Sequence, residues 1–528
     1  MSSALFPDPV FLDAAAGEPM DPVAREAYLA ALEDGWADPD RLYHAGRRAR
    51  LVLDAAREAV AEVVGARPDE VAFTSSGTAA VHAGVLGVAR ARARTGGRIA
   101  ATAVEHSSVL HAAQFAAPER GPLLLGVSRL GALEIGTLAA ALAAGPVALA
   151  CVQSANHEVG TVQPVGEAWA LCVEAGVPLL VDAAASLGRA DLPEHWSVLC
   201  GSARKWGGPA GIGLLAVRRG TRFAAANPED ERERGRVPGP VNVPGALAAA
   251  AALRARAAER GEVAARQRAQ TDRIRAFAAL IPDVQVVGDP VDRLPHLVTF
   301  SSWFVSGEAL LTELDKAGFA VSSGSSCTAS TMTPSHVLEA MGAPSQGNIR
   351  VSLPWRATDE EVDRFLAVLP GLIESLRLGA PLAPTVREEQ AASGSGVLSS
   401  GAEAASGSSV VSGAEAASRA VPAPAATSES SDSASAAVAG PAADPAAIPV
   451  PALVLDTLGR RCPIPVIEVA KRISAVEIGQ TVAVWSDDAA ARLDLPVWCE
   501  LRGHTYLGAE PVAGKDATAV AYLIRREH

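Results

Sequence analysis

Along the first 380 residues, short apolar runs alternate with longer stretches whose apolar positions recur every three or four residues. The runs Glu70–Thr74, Ile99–Val104, Val147–Gln153, Pro178–Asp182 and Gly213–Val217 predict strands, and Ala45–Val64, Thr78–Arg94 and Gly166–Ala175 predict helices between them. Strands alternating with helices predict an α/β fold on a mainly parallel sheet. Past Val241 a helical stretch, Ala246–Leu280, leads into a smaller subdomain ending near Leu378.

The pattern then stops. Pro381 to Pro449 is mostly Ala, Ser, Gly, Pro and Glu, has no aromatic residue, and repeats SGAEAAS at 400–406 and 412–418. So little apolar bulk cannot offset ordering entropy, which predicts a flexible, disordered linker. Its random-coil span is roughly 45 Å, at about 5–6 Å times the square root of its length. Alternation resumes at Val450. Strands are expected at Ala452–Leu458, Thr481–Ser486, Thr505–Pro511 and Ala517–Arg525, and helices at Pro465–Ile473 and Ala489–Val497. This is a small two-layer α/β sandwich. Three parts follow: 1–380, the linker 381–449, and 450–528.

Composition narrows the function class. With 49% hydrophobic and 20% charged residues, the 528-residue chain reads as globular. A formal charge of −13 argues against direct nucleic-acid binding, whose signature is a basic patch. Residues 1–20 lack the pattern of a signal peptide, and the longest apolar run, Leu138–Val152, is broken by Gly145 and Pro146. A cytoplasmic protein without a membrane span is expected. The six cysteines, Cys151, Cys172, Cys200, Cys327, Cys462 and Cys499, show no zinc-knuckle spacing, so no metal site is expected. Most should be buried apolar residues, Cys499 among them.

Lysine is scarce, with four in the chain and only Lys205 and Lys316 before the linker. Lys205 lies between an apolar strand and a glycine-rich turn, in VLCGSARKWGGPAGIGLLAV. Asp182 ends another strand, in PLLVDAAASLG. Ligands of open α/β sheets bind at such strand ends. An acid and a lysine so placed suit pyridoxal phosphate, the lysine forming a Schiff base and the carboxylate holding the pyridine nitrogen protonated. A structural salt bridge is the competing reading of those two residues alone. FTSSGTAAVHAG runs from a strand into a helix whose first amides, with the Thr78 hydroxyl, form an anion site. His106 follows a strand, where its ring can stack on a flat ligand.

These segments, with FLDAAAGEP, VEHSSVL, NHEVGTVQP, VSSGSSCTASTMTPSHVLEAMG and NIRVSLPWRATDEEVD, resemble the class V pyridoxal-phosphate enzymes over residues 10–375. Within that class they resemble the NifS/IscS-type cysteine desulfurases. The resemblance implies the fold type I architecture of this class, a large domain plus a small α/β subdomain. It implies Lys205 as the Schiff-base lysine, Asp182 at the pyridinium and His106 over the ring. Ser76, Gly77, Thr78, Ser202 and Arg204 would lie at the phosphate, Asn156 or His157 beside the ring, and Arg350 at the substrate carboxylate. Cys327, in a Ser/Gly/Thr-rich segment, would attack the sulfur of L-cysteine as a thiolate, giving alanine and a persulfide. A homodimer is implied as well.

The chain departs from that family at Ala185, where a glutamine is usual, at Arg204, where histidine is usual, and at Pro240, where a threonine usually reaches the partner's phosphate site. Pro240 also lacks a backbone donor.

In the last part, LDTLGRRCPIPVIEVAKRI, WSDDAAARLDLPVWC and YLIRR resemble the TusA/SirA-like sulfur carriers. The resemblance implies Cys462 as a sulfur-bearing thiol. Arg460, Arg461 and the positive end of the following helix are expected to favour its thiolate. A relay from Cys327 to Cys462 is the expectation, with the onward acceptor protein left open among tRNA thiolation, molybdenum cofactor, iron–sulfur assembly and a specialised biosynthetic pathway. The alternatives are a selenocysteine lyase or other class V lyase, and a degenerate scaffold for a sulfur-binding module.

Overall fold

A computed structural model describes residues 9–323, 335–378 and 451–528, except 96, 229, 513 and 517. Cys327 and the 381–449 linker lie outside the described residues. Residues on either side of the linker, Met1–Ala380 and Pro451–His528, form one compact unit.

Seven strands make the large sheet, in the spatial order Val71–Thr74, Gly213–Val217, Val198–Ser202, Leu179–Asp182, Val147–Cys151, Arg98–Thr102 and Leu123–Leu125. The pairings that involve Gly213–Val217 are antiparallel and the other four are parallel. The central strands are buried along their whole length, as a sheet covered by helices on both faces requires. Two apolar cores, one on each face, do the covering.

Two strands end earlier than their apolar runs. The runs Ile99–Val104 and Val147–Gln153 leave the sheet at Thr102 and Cys151, so that Glu105, His106 and Gln153 sit past the strand ends. Apolar patterning cannot place these strand ends, because Val104, Val152 and Gln153 remain buried after the ladder stops.

The helix Val243–Leu280 spans 38 residues and joins two cores. Its first turns pack on the large sheet through Val243, Ala246 and Leu253, and its last through Ile274 and Ala278 on the small subdomain. Asn242 caps it by accepting from the Gly245 amide at 3.0 Å. The small subdomain is an antiparallel sheet of Ile349–Ser352, Leu297–Ser302 and Val284–Val287, with the helices Gly307–Lys316 and Asp359–Leu378 against it. Val10–Phe11 pairs with Phe319–Ala320, which ties the N-terminal segment to this subdomain.

The last part has four strands in the order Leu453–Asp456, Thr481–Ser486, Val520–Arg525 and Thr505–Pro511. The helices Ile464–Arg472 and Ala491–Arg502 pack against the sheet. The second helix runs five residues past the expected Val497, and Gly503 ends it in the left-handed conformation at φ 70°, donating to the Cys499 and Glu500 carbonyls. Cys499 therefore lies inside that helix and not after it, and it is buried as expected.

Candidate active site

The carboxyl ends of the parallel strands open onto a cavity of about 310 Å³. Its lining includes Ser76, Gly77, Thr78, His106, His157, Asp182, Ser202, Arg204 and Lys205.

At one end the helix Gly77–Ala91 begins, capped by Ser76 Oγ, which accepts from the Ala79 amide at 3.0 Å. The first amides of a helix have no intrahelical acceptor and attract anions. Gly77 is required by packing, since a Cβ there would lie 2.6 Å from Ser202 Cβ. That close approach brings Ser202, from the next-but-one strand of the sheet, beside the helix start. Arg204 is exposed at the cavity rim and Lys205 is half-buried, both in the single turn Ala203–Lys205.

Asp182 ends its strand inside the cavity and accepts from the Ala184 amide at 2.9 Å, which fixes its carboxylate. Next to it is Glu105, fully buried and held protonated, its pKa pushed up to about 8 by burial and then by the Asp182 charge. Thr102 Oγ1 and the Gln153 amide both donate to Glu105 Oε1, at 2.9 and 2.7 Å. Glu105 thus sits uncharged beside the Asp182 carboxylate.

His106 caps the helix Ser107–Ala116, its Nδ1 accepting from the Ser108 amide at 3.1 Å. Burial, then His157 and Lys205, push its pKa down to about 3, so the ring that lines the cavity is neutral. The His157 ring lies 5.1 Å away at 65°. It too is kept neutral, by burial and then by Lys205 and Arg350.

Asn156 and His157 were both candidates for the place beside the ring, and they part here. Asn156 does not line the cavity: Nδ2 donates to the Val104 carbonyl at 3.0 Å and Oδ1 takes the Glu158 and Val159 amides, both at 2.8 Å. Both ends of its amide are engaged in closing the turn. His157 takes the cavity position. Arg350 lies outside the cavity lining, in Ile349–Ser352, and is buried. Its Nη2 donates to Asp13 at 2.9 Å and Nη1 to the His157 carbonyl at 3.1 Å, while Nε is buried and has no hydrogen-bond partner among the described residues.

Glu105, Glu158 and His336 were missed by sequence reasoning, although all three lie inside segments that carry the resemblance. Ser335 Oγ donates to Glu158 at 2.6 Å, and His336 Nε2 meets the Glu105 carbonyl at 2.8 Å. Ser335 and His336 are thereby fastened to the segments that carry the lining residues His157 and His106.

These features fit a flat, phosphorylated, nitrogen-containing ring. Helix amides and hydroxyls would meet an anion at one end, the fixed Asp182 carboxylate would meet a ring N–H, and the neutral His106 imidazole lines the same cavity as the Lys205 amine. Among the described residues no cluster of His, Cys, Asp or Glu suits a metal ion, and no helix is long and apolar enough to cross a membrane.

Comparison with known proteins agrees with this chemistry. Residues 10–365 match the family model of the class V aminotransferases, and residues 453–526 match that of the sulfurtransferase TusA. A cysteine desulfurase of Trichormus azollae is 35% identical over 384 residues, covering 70% of this chain and 94% of that protein. The cysteine desulfurase NifS of Azotobacter vinelandii is 34% identical over 383 residues, with 70% and 94% covered. A solved NifS-like protein superposes with a TM-score of 0.64 at 26% identity, covering 70% of this chain and all of the other. The chain belongs to the class V aminotransferase family, whose enzymes use pyridoxal phosphate. Within that family it is a cysteine desulfurase with a TusA domain fused behind it.

Cys462 lies at the start of the helix Ile464–Arg472, as the Cys-Pro-x-Pro motif predicts. Its electrostatics differ from expectation. Burial, then the carboxylates of Asp494 and Asp488, drive the thiol pKa upward, outweighing Arg460, Arg461 and the helix end. Asp488 also accepts from the Cys462 amide.

Proposed function

We propose that this chain releases sulfur from L-cysteine as a persulfide on Cys327, leaving alanine, and passes that sulfur to Cys462 of its own TusA domain. One observation carries the reading: Lys205, Asp182 and the helix start at Ser76–Thr78 converge on one cavity.

Pyridoxal phosphate, when bound, supplies an electron sink conjugated to the α-carbon of the amino acid. The helix amides with Ser76, Thr78, Ser202 and Arg204 would hold its phosphate, Asp182 its ring nitrogen and Lys205 its aldehyde carbon. The Lys205 amine is also the base that moves the α-proton. Neutral His106 keeps the ring in place and accepts a proton without first losing one. Arg350 binds the substrate carboxylate, sharing its guanidinium with Asp13. The Cys327 thiolate then attacks the substrate sulfur. A new S–S bond forms as the carbon–sulfur bond breaks, and the carbon keeps the bonding electrons and takes a proton to become alanine. No external oxidant or reductant is needed.

Transfer to Cys462 is equally balanced. Its thiolate attacks the outer sulfur of the Cys327 persulfide, and Cys327 leaves as a thiol. A homodimer is part of the proposal, supported by the exposed apolar side chains Val23, Leu29, Leu32, Trp36 and Leu42, of which Trp36 is 72% and Leu42 87% exposed.

Alanine release from L-cysteine tests the chemistry. Wild-type protein with pyridoxal phosphate should form alanine, Lys205→Ala should lose both the visible absorption of the lysine-bound cofactor and turnover, and Cys327→Ser should keep the absorption but lose turnover. Unchanged alanine formation by Cys327→Ser contradicts the proposal.

A further inference from the structure

Several contacts join the last domain to the rest of the chain. Arg129 donates both terminal nitrogens to Glu500, at 2.8 and 2.7 Å, in the forked geometry that makes such pairs specific. Arg502 reaches Asp283 at 2.6 Å. Ser345 donates its amide and its hydroxyl to Asp494 Oδ1, at 3.2 and 2.9 Å.

Apolar contact lies among these links. Trp303, 1% exposed, belongs to the same packed cluster as Val466, Val469, Leu495 and Trp498 of the last domain. Phe304 packs against that cluster, and the Arg502 guanidinium lies 5.9 Å from its ring. Phe304 is held at φ 66°, a conformation that strains a bulky residue and persists only where surrounding contacts enforce it. The Phe304 amide donates to Gln346 Oε1 at 3.2 Å, which links this strained residue to the neighbour of Ser345. A desulfurase domain working alone has no evident use for an aromatic pair aimed outward in this way.

Asp494 joins the surface to the thiol. It is fully buried, and Oδ1 is taken by Ser345 while Oδ2 has no partner of hydrogen-bond geometry among the described residues. The Cys462 thiol faces this carboxylate and that of Asp488, with Tyr522 also within electrostatic reach. Burial pushes the Asp494 pKa up to about 6, and the donors on Ser345, Cys462 and Gln346 oppose that rise.

We propose that Trp303, Phe304, Ser345, Arg129 and Asp283 form a docking surface for the chain's own sulfur-carrier domain. In the docked position Cys462 is shielded at the interface, and Asp494, shared between Ser345 and Cys462, is the positioning residue that couples docking to the state of the thiol. The docked domain is the resting position. Release from it frees Cys462 to meet other proteins. The inference stands whether or not Cys327 is the donor of sulfur to Cys462, because it concerns accessibility and not transfer.

Alkylation of Cys462 in the full-length protein, without added cysteine and followed by peptide mass spectrometry, tests it. Ser345→Arg, which places a bulky cation in the contact, should speed labelling of Cys462 several-fold over wild type. Cys499, in the carrier core, should stay unlabelled and reports that the domain is still folded. Arg129→Glu should also speed labelling, though less, because that pair is exposed. Combining it with Glu500→Arg should return the slow wild-type rate, which a folding defect cannot do. Equal rates in wild type and Ser345→Arg, or a charge swap that fails to restore protection, overturn the proposal.

Discussion

Burial and the Asp182 carboxylate keep Glu105 protonated up to about pH 8, against an ordinary value of 4.5. Between those values the folded chain holds a proton that the unfolded chain has lost. Stability from this group is therefore present at low pH and declines as pH rises through the window. Glu105→Gln keeps an acceptor for Thr102 and Gln153 and cannot ionise. Thermal unfolding midpoints from pH 5 to 9 should fall less steeply in the variant than in wild type, and a steeper fall contradicts the assignment. Gly77 gives a second test at this scale. An alanine Cβ at 2.6 Å from Ser202 Cβ forces the helix start away from that strand. Gly77→Ala should weaken retention of pyridoxal phosphate, read as faster loss of visible absorption on dialysis, more than it lowers the unfolding midpoint.

Between elements, Glu233 acts as a joint. It sits at φ 46° in the loop before the long helix, pairs with buried Arg57 of the helix His44–Val64, and accepts from the Phe73 amide at 2.8 Å. Removing one partner of a buried pair strands the other charge, at a cost of about 3–5 kcal/mol. Arg57→Met should lower the denaturant midpoint by that much stability, whereas removing the exposed Arg273–Asp363 pair should change it little.

The same scale shows where patterning works as a guide. Strands such as Leu179–Asp182 and Gly213–Val217 were legible because every residue is apolar or buried and turn residues bound them. The small antiparallel sheet was not legible, since Val284–Val287 is only partly buried and Ile349–Ser352 carries Arg350 at its centre. Lys205, Asp182, His106 and the helix start at Gly77 were readable because each follows an apolar run at a glycine-rich or capped junction. Asn156 against His157 was not, since one residue of offset in a turn decides which side chain closes the backbone and which faces the cavity. The charge state of Cys462 was unreadable for a related reason. Arg460 and Arg461 adjoin it in sequence, but Asp494, 32 positions away, adjoins it in space.

Over the whole molecule, the proposed relay asks sulfur to pass between two parts of one chain, the class V domain and the TusA domain behind it. The proposed homodimer belongs to this scale too. Replacing Trp36 and Leu42 together by glutamate should shift the chain from dimer to monomer in light scattering, and a persistent dimer would place the interface elsewhere. The most direct measurement of the central claim follows sulfur itself. After addition of 35S-labelled L-cysteine to the cofactor-loaded full chain, the account predicts labelled persulfide on both Cys327 and Cys462 in wild type. It predicts label confined to Cys327 in Cys462→Ser, and none on Cys462 in Cys327→Ser. Label on Cys462 in the Cys327→Ser protein would contradict it.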